Sequence, residues 1–285
     1  MTKVLLGLVG AGIARSLAPA LHEEEGRHHG LRVHYQLVDL DAAGVGVEAL
    51  PGLLRAARIM GFAGLNITHP CKQLVIPLLD ALADEARAIG AVNTVVRDGS
   101  RLVGHNTDGS GWSWGFRRAL PDADLARVAL LGAGGAGAAC ADAVLRMGAS
   151  RLAIFDRDPA RAEGLVRRLN AYFEGNRAAA SPDVGSLLRG ASGLIHATPS
   201  GMAKTPGMAL PEELLRPAMW VAEIVYVPLE TPLLLAARRI GCRTVDGGHM
   251  AVGQAVGAFR LFTGCEADPA RMDAHFRRLV SQRSS

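Results

Sequence analysis

Three short stretches in the first half of the chain concentrate groups that bind hydroxyls and move protons. They are Asn66-Ile67-Thr68-His69-Pro70-Cys71-Lys72, Asn93-Thr94 and Asn106-Thr107-Asp108-Gly109. Amides and hydroxyls form fixed hydrogen bonds to ring hydroxyls, so the set suits a polyhydroxylated, anionic ring. A lysine beside an alcohol carbon can take the hydroxyl proton as a hydride leaves.

The glycines carry a second chemistry. Gly132-Ala133-Gly134-Gly135-Ala136-Gly137 directly follows an apolar run at 128–131 and opens an Ala-rich helix. Gly132 permits the sharp turn, Gly134 lets a pyrophosphate approach the backbone, and Gly137 lets helix and strand pack closely. Phosphates would sit on the N–H groups of the helix start, those of Gly135, Ala136 and Gly137 included. The next strand ends at Asp156, 24 residues after Gly132. That is the strand–turn–helix context a dinucleotide fingerprint requires.

Asp156 would accept hydrogen bonds from the adenosine ribose, and with Asp158 it would repel a 2′-phosphate. Arg157 pulls the other way, because a guanidinium can grip a phosphate or stack on adenine. The balance favours NAD over NADP. An earlier turn, Gly10-Ala11-Gly12-Ile13-Ala14-Arg15, imitates the motif but has Arg15 where the third glycine belongs. Its acid, Asp39, lies 29 residues after Gly10, against the usual spacing of about 20. It reads as a tight turn before a helix.

These residues must be positioned by alternating strands and helices. Strand-like runs fall at 4–9, 33–38, 64–68, 91–96, 128–131, 151–155, 194–197 and 220–225. Helix-like runs fall at 17–26, 50–60, 73–88, 159–172, 247–262 and 268–280. The β-then-α order predicts an α/β fold with mostly parallel sheets covered on both faces. The expected organisation is an α/β substrate-binding domain at 1–107, joined by C-terminal helices from 243–285, and a Rossmann-type domain at 108–242. A Trp-containing helix, with Trp112 and Trp114 as inter-domain packing, links the two.

Composition narrows the classes. The 285 residues are 49% hydrophobic and 20% charged, with a net charge of +4. This is a globular balance with no basic run, so nucleic acid is not the expected partner. Cys71, Cys140, Cys242 and Cys265 stand far apart without metal spacing, and the apolar start is too short to span a bilayer. The expectation is a reduced, cytoplasmic protein, monomeric or homodimeric, with no bound metal and no membrane partner. His22, His69, His105 and His249 read as packing or surface residues, and Cys71 is not expected to be a nucleophile.

Five ordered motifs together resemble the shikimate/quinate dehydrogenase family over nearly the whole chain. Gly64-Leu65-Asn66-Ile67-Thr68-His69-Pro70-Cys71-Lys72 is similar to its G-x-N-[VI]-T-x-P-x-K segment. Gly90-Ala91-Val92-Asn93-Thr94 and Asn106-Thr107-Asp108-Gly109 are similar to its G-A-V-N-T and N-T-D-G. Gly132 to Gly137 is similar to its glycine-rich loop, and the run from Gly247 through Met250 to Gln254-Ala255 to its G-x-x-M-x-x-x-Q-A.

The resemblance implies NAD(P)-dependent interconversion of shikimate and 3-dehydroshikimate, with Lys72 and Asp108 as the catalytic pair. It implies that Asn66, Asn93, Asp108 and Gln254 hold ring hydroxyls, and that Thr68 joins Ser16 at the substrate carboxylate. Tyr226 would lie where nicotinamide meets substrate. Two positions depart from the pattern. Ala18 stands where a second carboxylate-binding hydroxyl is usual, and Asp156-Arg157-Asp158 replaces an Asn-Arg-Thr type of sequence. Quinate or an aminoshikimate analogue is the alternative substrate, and a catalytically silent ligand sensor is the alternative outside enzymology.

Overall fold

A computed structural model describes residues 2–284 of the chain. Contacts divide it into two units, Met1–Thr107 with Val252–Ser285, and Asp108–Ala251.

The first unit runs β1 (Lys3–Gly10), α1 (Ala18–His28), β2 (Arg32–Asp39), α2 (Leu40–Ala43), α3 (Leu50–Met60), β3 (Gly64–Ile67), β4 (Ala81–Leu82), α4 (Asp84–Ile89), β5 (Thr94–Asp98) and β6 (Arg101–His105). The sheet order is β2-β1-β3-β5-β6-β4. Alternation along β1 divides the core. Leu5 and Val9 pack with Leu50, Leu54 and Phe62, while Leu6 and Leu8 pack with Tyr35, Ala258 and Phe262. A strand buried on both faces reads as a continuous apolar run, which is how β1 looks in the sequence.

This sheet is mostly parallel, as expected: β1 is parallel to β2 and β3, and β4 to β6, while β5 is antiparallel to β3 and β6, Gly99 (φ 59°) closing β5 and β6 into a hairpin. One expectation needs correction: residues 73–88 are not one helix. A 3₁₀ turn at Ile76–Leu78, β4 and α4 share that stretch. Pro77 supplies no N–H to a helix. Asp80 then pairs with Leu102 at the edge of β6, its N–H donating to the Leu102 carbonyl at 3.0 Å and its carboxylate accepting the Leu102 N–H at 2.7 Å.

The second unit holds α5 (Asp108–Ala119), β7 (Arg127–Leu131), α6 (Gly135–Arg146), β8 (Arg151–Phe155), α7 (Pro159–Tyr172), β9 (Ala178–Ala180), α8 (Val184–Leu188), β10 (Gly193–His196), β11 (Trp220–Glu223), α9 (Pro232–Ile240) and β12 (Arg243–Val245). Its sheet order is β12-β11-β10-β7-β8-β9, with every neighbouring pair parallel. This is the doubly wound order, and it reverses between β7 and β10. Local chemistry sets the helix starts: Asp158 caps α7 ahead of Pro159, and Thr231 caps α9 ahead of Pro232. Trp112 stacks on Phe116 at 4.8 Å, and Phe116 meets Trp220 edge-on at 4.7 Å, so Trp112 packs inside this unit.

Two helices, α10 (Gly247–Thr263) and α11 (Pro269–Ser284), end the chain. The return to the first unit, expected at 243, falls at Val252 within α10, since Arg243–Val245 pairs with β11 as a strand. The α11 start is fastened to α1 by buried Glu25, which accepts from Arg271 Nε at 2.8 Å and from the Asp268 N–H at 2.9 Å.

Candidate functional site

In the first unit the pairing of β3 with β5 sets Asn66 opposite Thr94 and next to Asn93. Both asparagines are buried, at 5% and 2% exposure, so their amides must be satisfied internally. Asn66 Oδ1 accepts from Tyr35 Oη at 2.7 Å. Asn66 Nδ2 donates to the Asn93 carbonyl at 3.2 Å and to Thr94 Oγ1 at 3.0 Å. Asn93 Oδ1 accepts from Thr94 Oγ1 at 2.9 Å and from the Thr107 N–H at 2.8 Å, while Asn93 Nδ2 donates to Thr107 Oγ1 at 2.9 Å. Thr107 Oγ1 in turn donates to the Gln254 carbonyl at 3.0 Å. Asn106 Nδ2 donates to the Ala91 carbonyl at 2.9 Å. One network thus joins Asn66, Asn93 and the backbone of Gln254. Tyr35 is the member that the sequence did not single out; Thr94 and Thr107 fall within the stretches picked out there.

The loop after β3 carries Thr68 and Lys72. The Thr68 N–H donates to the Val9 carbonyl and the Thr68 carbonyl accepts the Cys71 N–H. The Lys72 carbonyl accepts the Val92 N–H at 2.8 Å. Half-buried Lys72 is therefore tied, through its backbone, to the residue preceding Asn93. Cys71 is buried, and burial pushes its thiol pKa up, opposite to what a nucleophile needs. Ser16 lies ahead of α1, its Oγ accepting the Ala18 N–H at 3.2 Å.

The first glycine turn has no open cradle. The Asp39 carboxylate accepts the N–H groups of Gly12, Ile13 and Ala14 at 2.8–2.9 Å. Partial burial works against its charge, but the bonds from Gly12 and Ile13 outweigh that and hold its pKa down.

The second turn differs. Gly132 has φ 106°, and a Cβ there would lie 2.5 Å from the Ala197 carbonyl oxygen. A Cβ on Gly137 would lie 2.1 Å from the Gly132 oxygen, whereas one on Gly134 would meet nothing within 4 Å. The turn is therefore tight where backbone meets backbone and open at Gly134. The first intrahelical bond of α6 is from the Ala138 N–H to the Gly134 carbonyl. The N–H groups of Gly135, Ala136 and Gly137 precede it, as an anion at a helix start requires. A nicotinamide dinucleotide fits this donor set.

Asp156 Oδ2 accepts the Ala133 N–H at 2.8 Å and Oδ1 accepts the Asp158 N–H at 3.0 Å, which holds the carboxylate at the turn. Arg157 and Asp158 are exposed beside it. Asp108 is the first residue of α5 and is buried; Tyr226 is half-buried beyond β11.

Beyond the predicted residues, the ends of β10 and β11 hold a buried polar cluster. His196 Nδ1 meets Glu223 Oε1 at 2.8 Å, and His196 Nε2 meets Thr198 Oγ1 at 2.5 Å. Only the strand register, which pairs His196 with Glu223, brings these groups together. Among the described residues no group of three His, Cys, Asp or Glu side chains could hold a metal ion, and no helix is long and apolar enough to cross a membrane.

A family model for the shikimate dehydrogenase substrate binding domain matches residues 8–95. The chain is 60% identical over 278 residues to the shikimate dehydrogenase (NADP(+)) of Streptomyces avermitilis, covering 97% of this chain and 96% of that one. It is 46% identical to the quinate/shikimate dehydrogenase (NAD(+)) of Corynebacterium efficiens, covering 96% and 97%. The structure of the quinate dehydrogenase from Corynebacterium glutamicum in complex with NAD superposes with a TM-score of 0.90 at 43% identity, covering 98% of this chain and all of that one.

Proposed function

The chain belongs to the shikimate dehydrogenase family, and from that premise we propose that it interconverts shikimate and 3-dehydroshikimate with a nicotinamide dinucleotide. The observation that carries this is the buried amide network of Asn66 and Asn93, tied by a backbone bond to Lys72. Such a network fixes hydrogen-bonding groups before the ligand arrives, which is what discrimination among ring hydroxyls demands. Asn66, Asn93, Asp108 and Gln254 bind the ring hydroxyls. Thr68 and Ser16 bind the carboxylate, and Tyr226 lies at the reacting carbon. Lys72 and Asp108 give acid–base assistance, Lys72 taking the alcohol proton in oxidation and returning it in reduction. Gly132, Gly134, Gly135, Ala136 and Gly137 would hold the nicotinamide dinucleotide, which would supply the hydride acceptor in oxidation and the hydride donor in reduction.

NAD is the preferred cofactor in this proposal. Asp156 and Asp158 place two carboxylates at the end of β8, where a 2′-phosphate would meet repulsion, with Arg157 between them in sequence and Arg161 Nε 3.5 Å from Asp158 as the opposing cations. The relatives' names divide between NADP(+) and NAD(+). Quinate is the second reading, favoured by Ala18. That residue opens α1 with a methyl group where a hydroxyl would clasp the carboxylate, leaving room for quinate's extra hydroxyl at the carboxylate-bearing carbon.

The test is nicotinamide reduction followed by absorbance, with shikimate and quinate each paired with NAD and NADP. Higher kcat/KM with NADP removes the reading of Asp156 and Asp158. Turnover of quinate above shikimate selects the second substrate, and no turnover in any pairing leaves the ligand sensor.

A further inference from the structure

The cluster at the ends of β10 and β11 is built more thoroughly than two strand ends need. Glu223 is 1% exposed and His196 fully buried. Glu223 Oε1 accepts the N–H groups of Ile224 at 2.9 Å and Val225 at 3.0 Å, besides facing His196 Nδ1. Glu223 Oε2 accepts from Thr231 Oγ1 at 3.0 Å, the residue that caps α9. One carboxylate thus fixes the end of β10, the chain leading to Tyr226 and the start of α9. On the far side of the imidazole, His196 Nε2 holds Thr198 Oγ1, which also accepts the Ser200 N–H at 3.3 Å.

Thr198 stands at the glycine turn. A Cβ added to Gly132 would lie 3.0 Å from Thr198 Cγ2, as well as 2.5 Å from the Ala197 oxygen. β7 and β10 are the pair between which the strand order reverses. A doubly wound sheet takes a dinucleotide across that reversal, one nucleotide on each half. The β7-β8-β9 half ends in Asp156 and takes the adenosine side, so the β10 half faces the nicotinamide side.

Resting on the dinucleotide reading given above, we propose that Glu223 and His196 are positioning residues. They hold Thr198 and the chain leading to Tyr226 against the nicotinamide half of the bound cofactor. A carboxylate on one imidazole nitrogen fixes the ring, and the other nitrogen then fixes the hydroxyl.

The test compares whole dinucleotide with its adenine-side fragment. Calorimetric Kd values are measured for NAD against ADP-ribose, and for NADP against 2′-phospho-ADP-ribose, in wild type, Thr198→Val and His196→Asn. Thr198→Val is isosteric and leaves the Glu223–His196 contact in place, so it decides the matter if His196→Asn does not fold. The expected result is about a tenfold weaker Kd for the dinucleotide the wild type binds, the size of one lost hydrogen bond. The fragment's Kd should stay within about twofold, and the dinucleotide KM should rise more than the substrate KM. Equal weakening of dinucleotide and fragment, or of neither, overturns the proposal. Wild type binding no dinucleotide and no fragment overturns the dinucleotide reading itself, and the positioning role with it.

Discussion

Tyr35 on β2 reaches past β1 to donate to Asn66 Oδ1 at 2.7 Å, and both residues are buried. Asn66 Nδ2 donates to the Asn93 carbonyl and Thr94 Oγ1. The Asn93 carbonyl, which can only accept, fixes which way round the Asn66 amide lies, and the phenol then donates to the amide oxygen. Tyr35→Phe leaves a buried acceptor unpaired, a loss of about 1–3 kcal/mol. We expect denaturant unfolding to show a loss in that range and the substrate KM to rise, with dinucleotide Kd unchanged. An unaltered KM would show that Asn66 binds substrate without needing Tyr35.

Two glycines of the cradle separate folding from binding. Gly137→Ala puts a methyl 2.1 Å from the Gly132 oxygen, backbone against backbone, and the turn has to open. The variant should lose thermal stability and dinucleotide binding together. Gly134→Ala meets no atom within 4 Å, so its Tm should match wild type while dinucleotide Kd weakens through contact with the phosphates. Wild-type affinity in Gly134→Ala would place the phosphates elsewhere.

For Lys72 the prediction concerns the split between rate and binding. A positioned proton carrier contributes roughly 10²–10⁴-fold. Lys72→Ala should therefore lower kcat by at least about a hundredfold and raise substrate KM far less. A kcat within about threefold of wild type, under about 1 kcal/mol of barrier, would show that another group carries the proton.

What could be read from the sequence was set by short-range chemistry. Gly132 through Gly137 announces its turn because Gly132 and Gly137 each answer a backbone clash while Gly134 leaves the turn open, and Asp158-Pro159 announces α7 through a cap and a fixed φ. Residues 73–88 misled because their fate is decided by β6, whose Leu102 captures Asp80. Sequence periodicity does not register an edge strand two residues long. Tyr35 and Asn66 are 31 positions apart with β1 between their strands, and His196 and Glu223 are 27 apart and meet only through the β10–β11 register. Long-range polar pairs of this kind leave no local spacing to find.

His22 yields a prediction about pH. Expected to be a packing or surface histidine, it is wholly buried, 4.8 Å from the Tyr35 ring and near Phe259 and Phe262. Both its ring nitrogens lack a partner among the described residues. Burial lowers its pKa from 6.5 to about 3, and nearby Glu25 only partly opposes that. The folded state keeps His22 neutral where the unfolded chain takes up a proton. Stability on this account is fully present above about pH 6.5 and falls with decreasing pH down to about 3, by up to about 1.4 kcal/mol per pH unit. Between pH 7 and pH 5 that is a loss of about 2 kcal/mol. His22→Leu removes both the titration and the unsatisfied nitrogens. We expect it to match or exceed wild-type stability at pH 7 and to show a flatter decline toward pH 5 in urea unfolding. Parallel pH curves for the two proteins would mean that His22 is protonated in the folded state or shielded by a partner in solution.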